Sequence, residues 1–169
     1  MSLRKDKSSE KNKAFMRLAL ELANQNKGLT GLNPSVGCVV THKDEIISYG
    51  KTDINGRPHA EVVALKNNKI NFKNSNMYVT LEPCCMCAGT IMQARLQKIY
   101  FGAYDEKSGV ASSDLNLFND RRINHQTICV GGIMAENSKR LLQQFFLKKR
   151  DKFVLNLTQF LHLYYSRHY

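Results

Sequence analysis

The chain has 169 residues, of which 43% are hydrophobic and 23% charged, a length and mixture typical of one globular domain. It contains no apolar run long enough to cross a bilayer, and no apolar stretch follows its charged N-terminal residues, so we expect neither a membrane partner nor a secretory signal. Lys and Arg outnumber Asp and Glu by 25 to 14, and the net charge of +11 suits nucleic acid, a phosphorylated small molecule or a solvated surface.

Hydrophobic spacing predicts alternating helices and strands along the chain. A helix over residues 13–27 is followed by strands at 36–41 and 46–49 and by a loop over 50–58. The elements predicted after this loop are a helix at 59–67, a strand at 77–81, a helix at 83–96, a strand at 98–102, a short helical piece at 114–118, a strand at 126–130 and a helix at 135–150. This order predicts an α/β fold, a three-layer α/β/α sandwich around a mixed five-stranded sheet.

One domain accounts for most of the chain. The pattern contains no linker and no internal repeat, so residues 1–152 are predicted to form a single domain. Residues 153–169 form a C-terminal tail rich in large apolar side chains, among them Phe153, Leu157 and Phe160. We expect this tail to pack on the body of the domain rather than to cover a partner.

Two short motifs carry residues that bind metals and move protons. His59 and Glu61 stand at the predicted start of one helix, and Cys84 and Cys87 stand at the start of another, directly after Pro83. Cysteines three positions apart share one face of a helical turn, and a helix N-terminus favours thiolates. His59, Cys84 and Cys87 are therefore candidate zinc ligands that leave a fourth position open for water. Glu61 is the candidate general acid and base, because it can shuttle protons without binding the metal.

Other interpretations of the cysteines explain less of the pattern. A structural zinc site needs a fourth ligand, and the sequence has no second pair of cysteines with this spacing. A redox pair accounts for Cys84 and Cys87 but not for His59 and Glu61. An odd number of cysteines without a secretory signal favours the reducing cytoplasm over a disulfide framework. The cysteines predicted to be small core residues are Cys38, Cys85 and Cys129.

The two motifs in this order match the H-x-E…P-C-x-x-C signature of zinc deaminases, so residues 1–152 resemble the cytidine-deaminase-like superfamily. The stretch Tyr78–Gly89 is similar, nearly letter for letter, to the zinc motif of bacterial tRNA-specific adenosine deaminases. Further positions that resemble this family are Arg95, Tyr100–Ala103, Asp105, Lys107, Gly109, Asn124, His125, Phe145 and Phe146. The resemblance implies a homodimer that converts adenosine to inosine at the wobble position of a tRNA.

A second family is more similar to the N-terminal half. Asn33–Val39 and Gly56–Val62 resemble the deaminase domain of riboflavin biosynthesis, and Cys84 follows His59 by 25 positions, a spacing closer to that family. The long insert that separates that family's two cysteines is absent here. The tRNA deaminases usually carry an Asn in the loop before the His motif, where this chain has Thr52. The substrate contacts implied by the two resemblances are Asn33, Thr52 and Asp105.

These patterns favour a cytoplasmic, zinc-dependent hydrolytic deaminase that forms inosine in tRNA. Lys148, Lys149 and Arg150 near the end of the last helix are the candidate phosphate contacts. Two alternatives stay open: a small-molecule deaminase of a riboflavin-pathway pyrimidine nucleotide or a free purine base, and a non-catalytic subunit that binds nucleic acid. Glu61 argues against the non-catalytic alternative, because binding alone needs no proton shuttle.

Overall fold

The computed structural model describes residues 2–112 and 115–166, with side chains described from residue 8 to 151 within these ranges and at Leu155 and Thr158. The helices in these residues are α1 Ser2–Gln25, α2 Ala60–Leu65, α3 Cys85–Gln93 and α4 Ala135–Ser166. The strands are β1 Gly37–His42, β2 Glu45–Lys51, β3 Asn76–Leu81, β4 Lys98–Ala103 and β5 Ile128–Val130. In the described residues, no helix combines the length and apolar character needed to cross a membrane.

The strands of the described residues form one mixed sheet in the order β2-β1-β3-β4-β5. Strand β1 is antiparallel to β2 and to β3, whereas β3, β4 and β5 run parallel to one another. Parallel neighbours need a crossover connection, and α3 provides it between β3 and β4. The predicted mixed five-stranded sheet is confirmed.

Helices cover both faces of the sheet because side chains alternate along the three central strands. Cys38, Met77 and Ile99 belong to a large core shared with α2 and α3. The residues that follow them in sequence, Val39, Tyr78 and Tyr100, lie in a second core with α1 and α4. This alternation is the two-residue period of a strand buried on both sides. The predicted α/β/α layering is therefore confirmed.

The two long helices extend beyond their predicted bounds. Helix α1 begins at Ser2 rather than near residue 13, because the charged stretch before it contains neither Gly nor Pro and its Glu10 and Lys13 form an ion pair one turn apart. Helix α4 continues to Ser166, so its backbone passes the predicted domain boundary at 152 without a break. The predicted packing of the tail falls mostly on side chains outside the described residues, and Leu155 is exposed. Part of the short helical piece predicted at 114–118 also lies outside them, and a 3-10 turn occurs at Leu117–Asn119.

Gly37 provides a stability test of the contact between α1 and the sheet. A Cβ atom at Gly37 would collide with the carbonyl oxygen of Ala19 and lie 2.7 Å from the amide nitrogen of Ala23, both in the backbone of α1. We expect Gly37→Ala to lower the free energy of unfolding by about 1–3 kcal/mol, as overpacking does in cores. Gly89→Ala is the matched control, because a Cβ there meets no atom within 4 Å, and we expect it to leave stability unchanged or raise it slightly. Equal urea midpoints for the two variants would contradict this account of the packing.

Candidate active site

The structure brings three metal-ligating side chains together at two helix starts. His59 is the N-cap of α2, and Cys84 is the N-cap of α3, both with extended backbone. Cys87 lies in the first turn of α3 and is fully buried. The Nδ1 atom of His59 is 3.7 Å from Cys84 Sγ and 3.4 Å from Cys87 Sγ, and the two sulfurs are 3.7 Å apart.

These spacings fit a tetrahedral zinc ion. With Zn–S bonds of about 2.3 Å and a Zn–N bond of about 2.0–2.1 Å, tetrahedral geometry places two sulfurs about 3.8 Å apart and a sulfur and a nitrogen about 3.6 Å apart. The donor atoms of His59, Cys84 and Cys87 form a group of three in the described part of the chain, with no fourth His, Cys, Asp or Glu in it. Two thiolates and one imidazole are also the donors that zinc prefers. The residues present therefore fit zinc with one position left open.

The two cysteines of the cluster have pKa values shifted in opposite directions. Hydrogen bonds from the Cys87 thiol and from His59 lower the pKa of Cys84 well below its usual value. The same hydrogen bond raises the pKa of Cys87, with burial adding to the rise. The hydrogen bond to Cys84 also raises the pKa of His59. Cys84 is thus the thiolate of the pair. Deprotonating Cys87 as well requires a stronger positive charge than that of His59.

Glu61 stands in the first turn of α2, two residues beyond His59, and is 4% exposed. Burial raises the pKa of its carboxyl group, and a backbone hydrogen bond and the positive charge of His59 partly oppose that rise. Glu61 lines a cavity of about 320 Å³ together with the half-buried His59 and Cys84. A carboxyl group with a raised pKa beside an open metal position is suited to accept and return protons near neutral pH.

The three predicted substrate contacts, Asn33, Thr52 and Asp105, all line this cavity, but their hydrogen bonds differ. Thr52 Oγ1 accepts from the Val36 amide at 2.9 Å, so this hydroxyl is committed to the loop that forms the wall. The Asn33 side-chain amide donates to the Gly56 carbonyl at 2.9 Å, which leaves its oxygen able to accept from a ligand. One carboxylate oxygen of Asp105 accepts hydrogen bonds from the backbone amides of Lys107 and Ser108, which belong to the same loop.

Among the other residues that line the cavity, three have polar side chains that the sequence analysis did not select: Arg57, Glu82 and Ser108. Arg57 brings a positive charge to the wall, and its Nη1 atom lies 3.8 Å from the sulfur of Met86. Glu82 is a buried carboxylate at the end of β3. The sequence gives no signal for its burial, because the donors that surround it lie 23 to 30 positions further along the chain.

The basic residues of α4 do not lie at this cavity. Lys148 and Lys149 line a different cavity of about 770 Å³, which α4 forms with residues 27–35 and 54–55 and which also contains Lys27. Arg150 lines a shallow groove on another side of α4, next to Phe146. The three candidates for phosphate contact are therefore divided between two surfaces of the helix. Cys85, predicted as a core residue, is exposed, because the buried side of α3 is occupied by Cys87 and Ala88.

The fold and this site define a class of enzyme, the zinc-binding hydrolytic deaminases built on a cytidine-deaminase-like sandwich. The chain belongs to the family described as the cytidine and deoxycytidylate deaminase zinc-binding region, whose model matches residues 9–103. This match includes α2, β3 and α3, and therefore the whole cluster of His59, Glu61, Cys84 and Cys87.

Two relatives of known function are tRNA-specific adenosine deaminases by name. The chain is 38% identical over 153 residues to the tRNA-specific adenosine deaminase of Haemophilus influenzae, an alignment that covers 85% of this chain and 88% of the relative. It is 33% identical over 126 residues to the enzyme of the same name from Bacillus subtilis, covering 69% of this chain and 78% of that one.

Solved structures that resemble the chain include enzymes for two kinds of substrate. A diaminohydroxyphosphoribosylaminopyrimidine deaminase/5-amino-6-(5-phosphoribosylamino)uracil reductase from Thermotoga maritima matches with a TM-score of 0.72 and 27% identity. That match covers 86% of this chain but 43% of the Thermotoga protein, so this chain spans less than half of it. A tRNA:A34 deaminase that edits A to I at the wobble position of transfer RNA matches with a TM-score of 0.65 and 27% identity, covering 76% of this chain and 98% of that one.

The protonation of the cysteine pair can be tested by alkylation. After metal removal with a chelator, Cys84 should react with iodoacetamide at about pH 6, where a thiol of ordinary pKa is almost fully protonated. Cys87→Ala removes the hydrogen bond that stabilises the Cys84 thiolate, so the Cys84 pKa rises and alkylation at this pH should slow several-fold. Peptide mass spectrometry measures both rates, and equal rates would contradict the assignment of Cys84 as the thiolate.

Proposed function

We propose that this chain is a hydrolytic tRNA adenosine deaminase that forms inosine at the wobble position, with one zinc ion held by His59, Cys84 and Cys87. The chemistry is supported by the three donors at tetrahedral spacing with Glu61 buried beside them. The substrate is supported by the 38% identity to the tRNA-specific adenosine deaminase of Haemophilus influenzae, which extends over 85% of the chain. Action as a cytoplasmic homodimer belongs to the same proposal.

Glu61 performs the proton transfers in this proposal. When bound to the cluster, zinc supplies a Lewis acid that makes a water molecule more acidic. The Glu61 carboxylate accepts a proton from that water as its oxygen attacks the ring carbon that carries the amino group. Glu61 gives this proton to the ring nitrogen, then takes the second water proton from the new hydroxyl group and passes it to the departing amine, so adenosine and water become inosine and ammonia. Burial of Glu61 assists, because a raised pKa lets the carboxyl group hold the proton between the two transfers.

The cavity limits how the substrate can reach this chemistry. A volume of about 320 Å³ is suited to one base rather than to a stacked helix, so the target nucleotide has to be unstacked and inserted. We propose that Asn33 accepts a hydrogen bond from the base through its side-chain oxygen, with Thr52 as part of the wall. Asp105 and Arg57 line the same cavity and are candidates to contact polar groups of the nucleotide.

A deaminase of a phosphorylated pyrimidine is the second candidate. It is favoured by the likeness to the Thermotoga deaminase/reductase, which has the higher TM-score of the two structural neighbours. The positive charge of Arg57 beside the cavity also suits a small substrate that carries a phosphate. The two candidates share the zinc cluster and Glu61, and they differ in the group that must be held outside the cavity.

Replacing Glu61 separates the chemistry from metal binding. We expect Glu61→Ala to retain about one zinc per chain and to lose deamination by about 10²-fold or more, because the proton shuttle is removed while all three ligands remain. Cys84→Ala should lose both zinc and activity. Cys85→Ala is the matched control, since this neighbouring cysteine is exposed and outside the cluster, and it should retain both.

The assay compares substrates for the same variants. Inosine in tRNA and released ammonia are measured with tRNA, free adenosine, guanine and the phosphorylated pyrimidine precursor of riboflavin. Inosine formed in tRNA by the wild type and lost in Glu61→Ala supports the proposal. Efficient turnover of a free base or the pyrimidine with no inosine in any tRNA overturns it. Full tRNA binding without turnover of any substrate would indicate a non-catalytic nucleic-acid-binding subunit.

The division of the basic residues on α4 predicts unequal effects on tRNA binding. Lys148 and Lys149 lie in the cavity that also contains Lys27, so a phosphate backbone there meets several positive charges. We expect Lys148→Ala combined with Lys149→Ala to weaken tRNA binding and to reduce the slope of log affinity against log salt by about one or slightly less per lost phosphate contact. Arg150→Ala removes an adjacent charge on another surface and should change the slope less. Equal slopes for the wild type and the double variant would contradict the proposed contacts.

A further inference from the structure

Glu82 is a buried carboxylate surrounded by neutral donors. It is 3% exposed, and no ion pair with Lys, Arg or His is found for it in the described residues. Its Oε2 atom accepts from the amide of Asp105 at 3.0 Å. Its Oε1 atom accepts from the amides of Ala111 and Ser112 at 3.0 and 2.9 Å and from the Ser112 hydroxyl at 3.1 Å. A buried negative charge is stable in such surroundings only while these donors stay directed at it.

All four donors belong to the loop that follows β4, here called the wall loop and defined as residues 105–112. The backbone adds two contacts between this loop and the zinc motif: the Val110 amide donates to the Pro83 carbonyl at 3.0 Å, and Gly109 forms a bridge with Cys84. A Cβ at Gly109 would collide with the Glu82 carboxyl group, so the loop lies directly against it. The wall loop is therefore attached to the same segment that supplies Cys84.

The wall loop also forms part of the cavity, since Asp105 and Ser108 line it together with Glu61. Glu82 reaches Asp105 through one oxygen and the far end of the loop through the other, so both ends depend on one side chain. We propose that Glu82 is a positioning residue that fixes the wall loop for substrate binding. It acts through Asp105 and Ser108 on the bound base, and neither metal binding nor proton transfer depends on it. This inference rests on the proposed deaminase function.

Glu82→Gln tests the inference with little change of shape. The amide oxygen can keep the three donors at the Ala111 end, but the amide nitrogen then faces the Asp105 amide, and two donors repel each other. We expect KM for tRNA to rise by about tenfold while kcat stays within about threefold, because binding is impaired and the chemistry is not. Zinc content should stay at about one per chain. Amide hydrogen exchange should become faster in the wall loop and stay unchanged in α2.

Two further variants complete the design. Glu82→Asp keeps the charge, so its KM for tRNA should lie between those of the wild type and Glu82→Gln. If Glu82→Gln does not fold, Glu82→Asp replaces it in every assay. Asp120→Asn is the control, because its carboxylate pairs with the exposed Arg122 outside the cavity, and its kinetics should match the wild type. Loss of zinc, a fall in kcat at unchanged KM, or unchanged exchange in the wall loop would overturn the inference. A wild type that deaminates another substrate refutes the tRNA proposal alone, and the same KM and kcat comparison is then made on that substrate.

Discussion

The site depends on the close approach of two helix starts at one edge of the sheet. Helices α2 and α3 each contribute an N-cap ligand, and three donor atoms within 4.8 Å of one another require that the two N-termini nearly touch. Ala60, Ala64 and Ala88 are fully buried in the core beneath them, and side chains of this size let helices pack closely. The large core of the domain thus holds the starts of α2 and α3 close enough together for their side chains to bind one metal ion.

The site contains two buried carboxyl groups in opposite surroundings. Glu61 lies beside the cluster, and burial raises the pKa of its carboxyl group, which favours its protonated form. Glu82 lies among backbone amides of the wall loop, which hold a charge in place. One carboxyl group is therefore suited to change its protonation state, and the other to keep a fixed geometry. The structure separates these tasks by placing Glu61 in the first turn of α2 and Glu82 between β3 and α3, and by giving them different hydrogen-bond partners.

The sequence predicts well those features that depend on residues close together in the chain. The His59, Glu61, Cys84 and Cys87 motifs each lie within one helical turn, and strand alternation predicts the layers. The role of Glu82 could not be predicted, because its partners are 23 to 30 positions away and contribute backbone amides, which every residue has. Consecutive basic residues on a helix point in different directions, so the separation of Arg150 from Lys148 and Lys149 depends on which surfaces neighbouring loops cover. The exposure of Cys85 has the same origin.

The residues that react and many of the residues that line the cavity lie on different kinds of structure. The reacting groups stand on helix starts that the core holds rigid, whereas much of the wall belongs to loops, and loops tolerate insertion and substitution. Substitutions in these loops can therefore change which substrate is bound during evolution, while the deamination step is unchanged. Two proteins as different in substrate as a tRNA:A34 deaminase and a pyrimidine deaminase/reductase share this fold with the chain at 27% identity. For protein engineers, Asp105 and Ser108, the wall-loop residues that line the cavity, are accordingly the positions to vary when a new base is to be accepted.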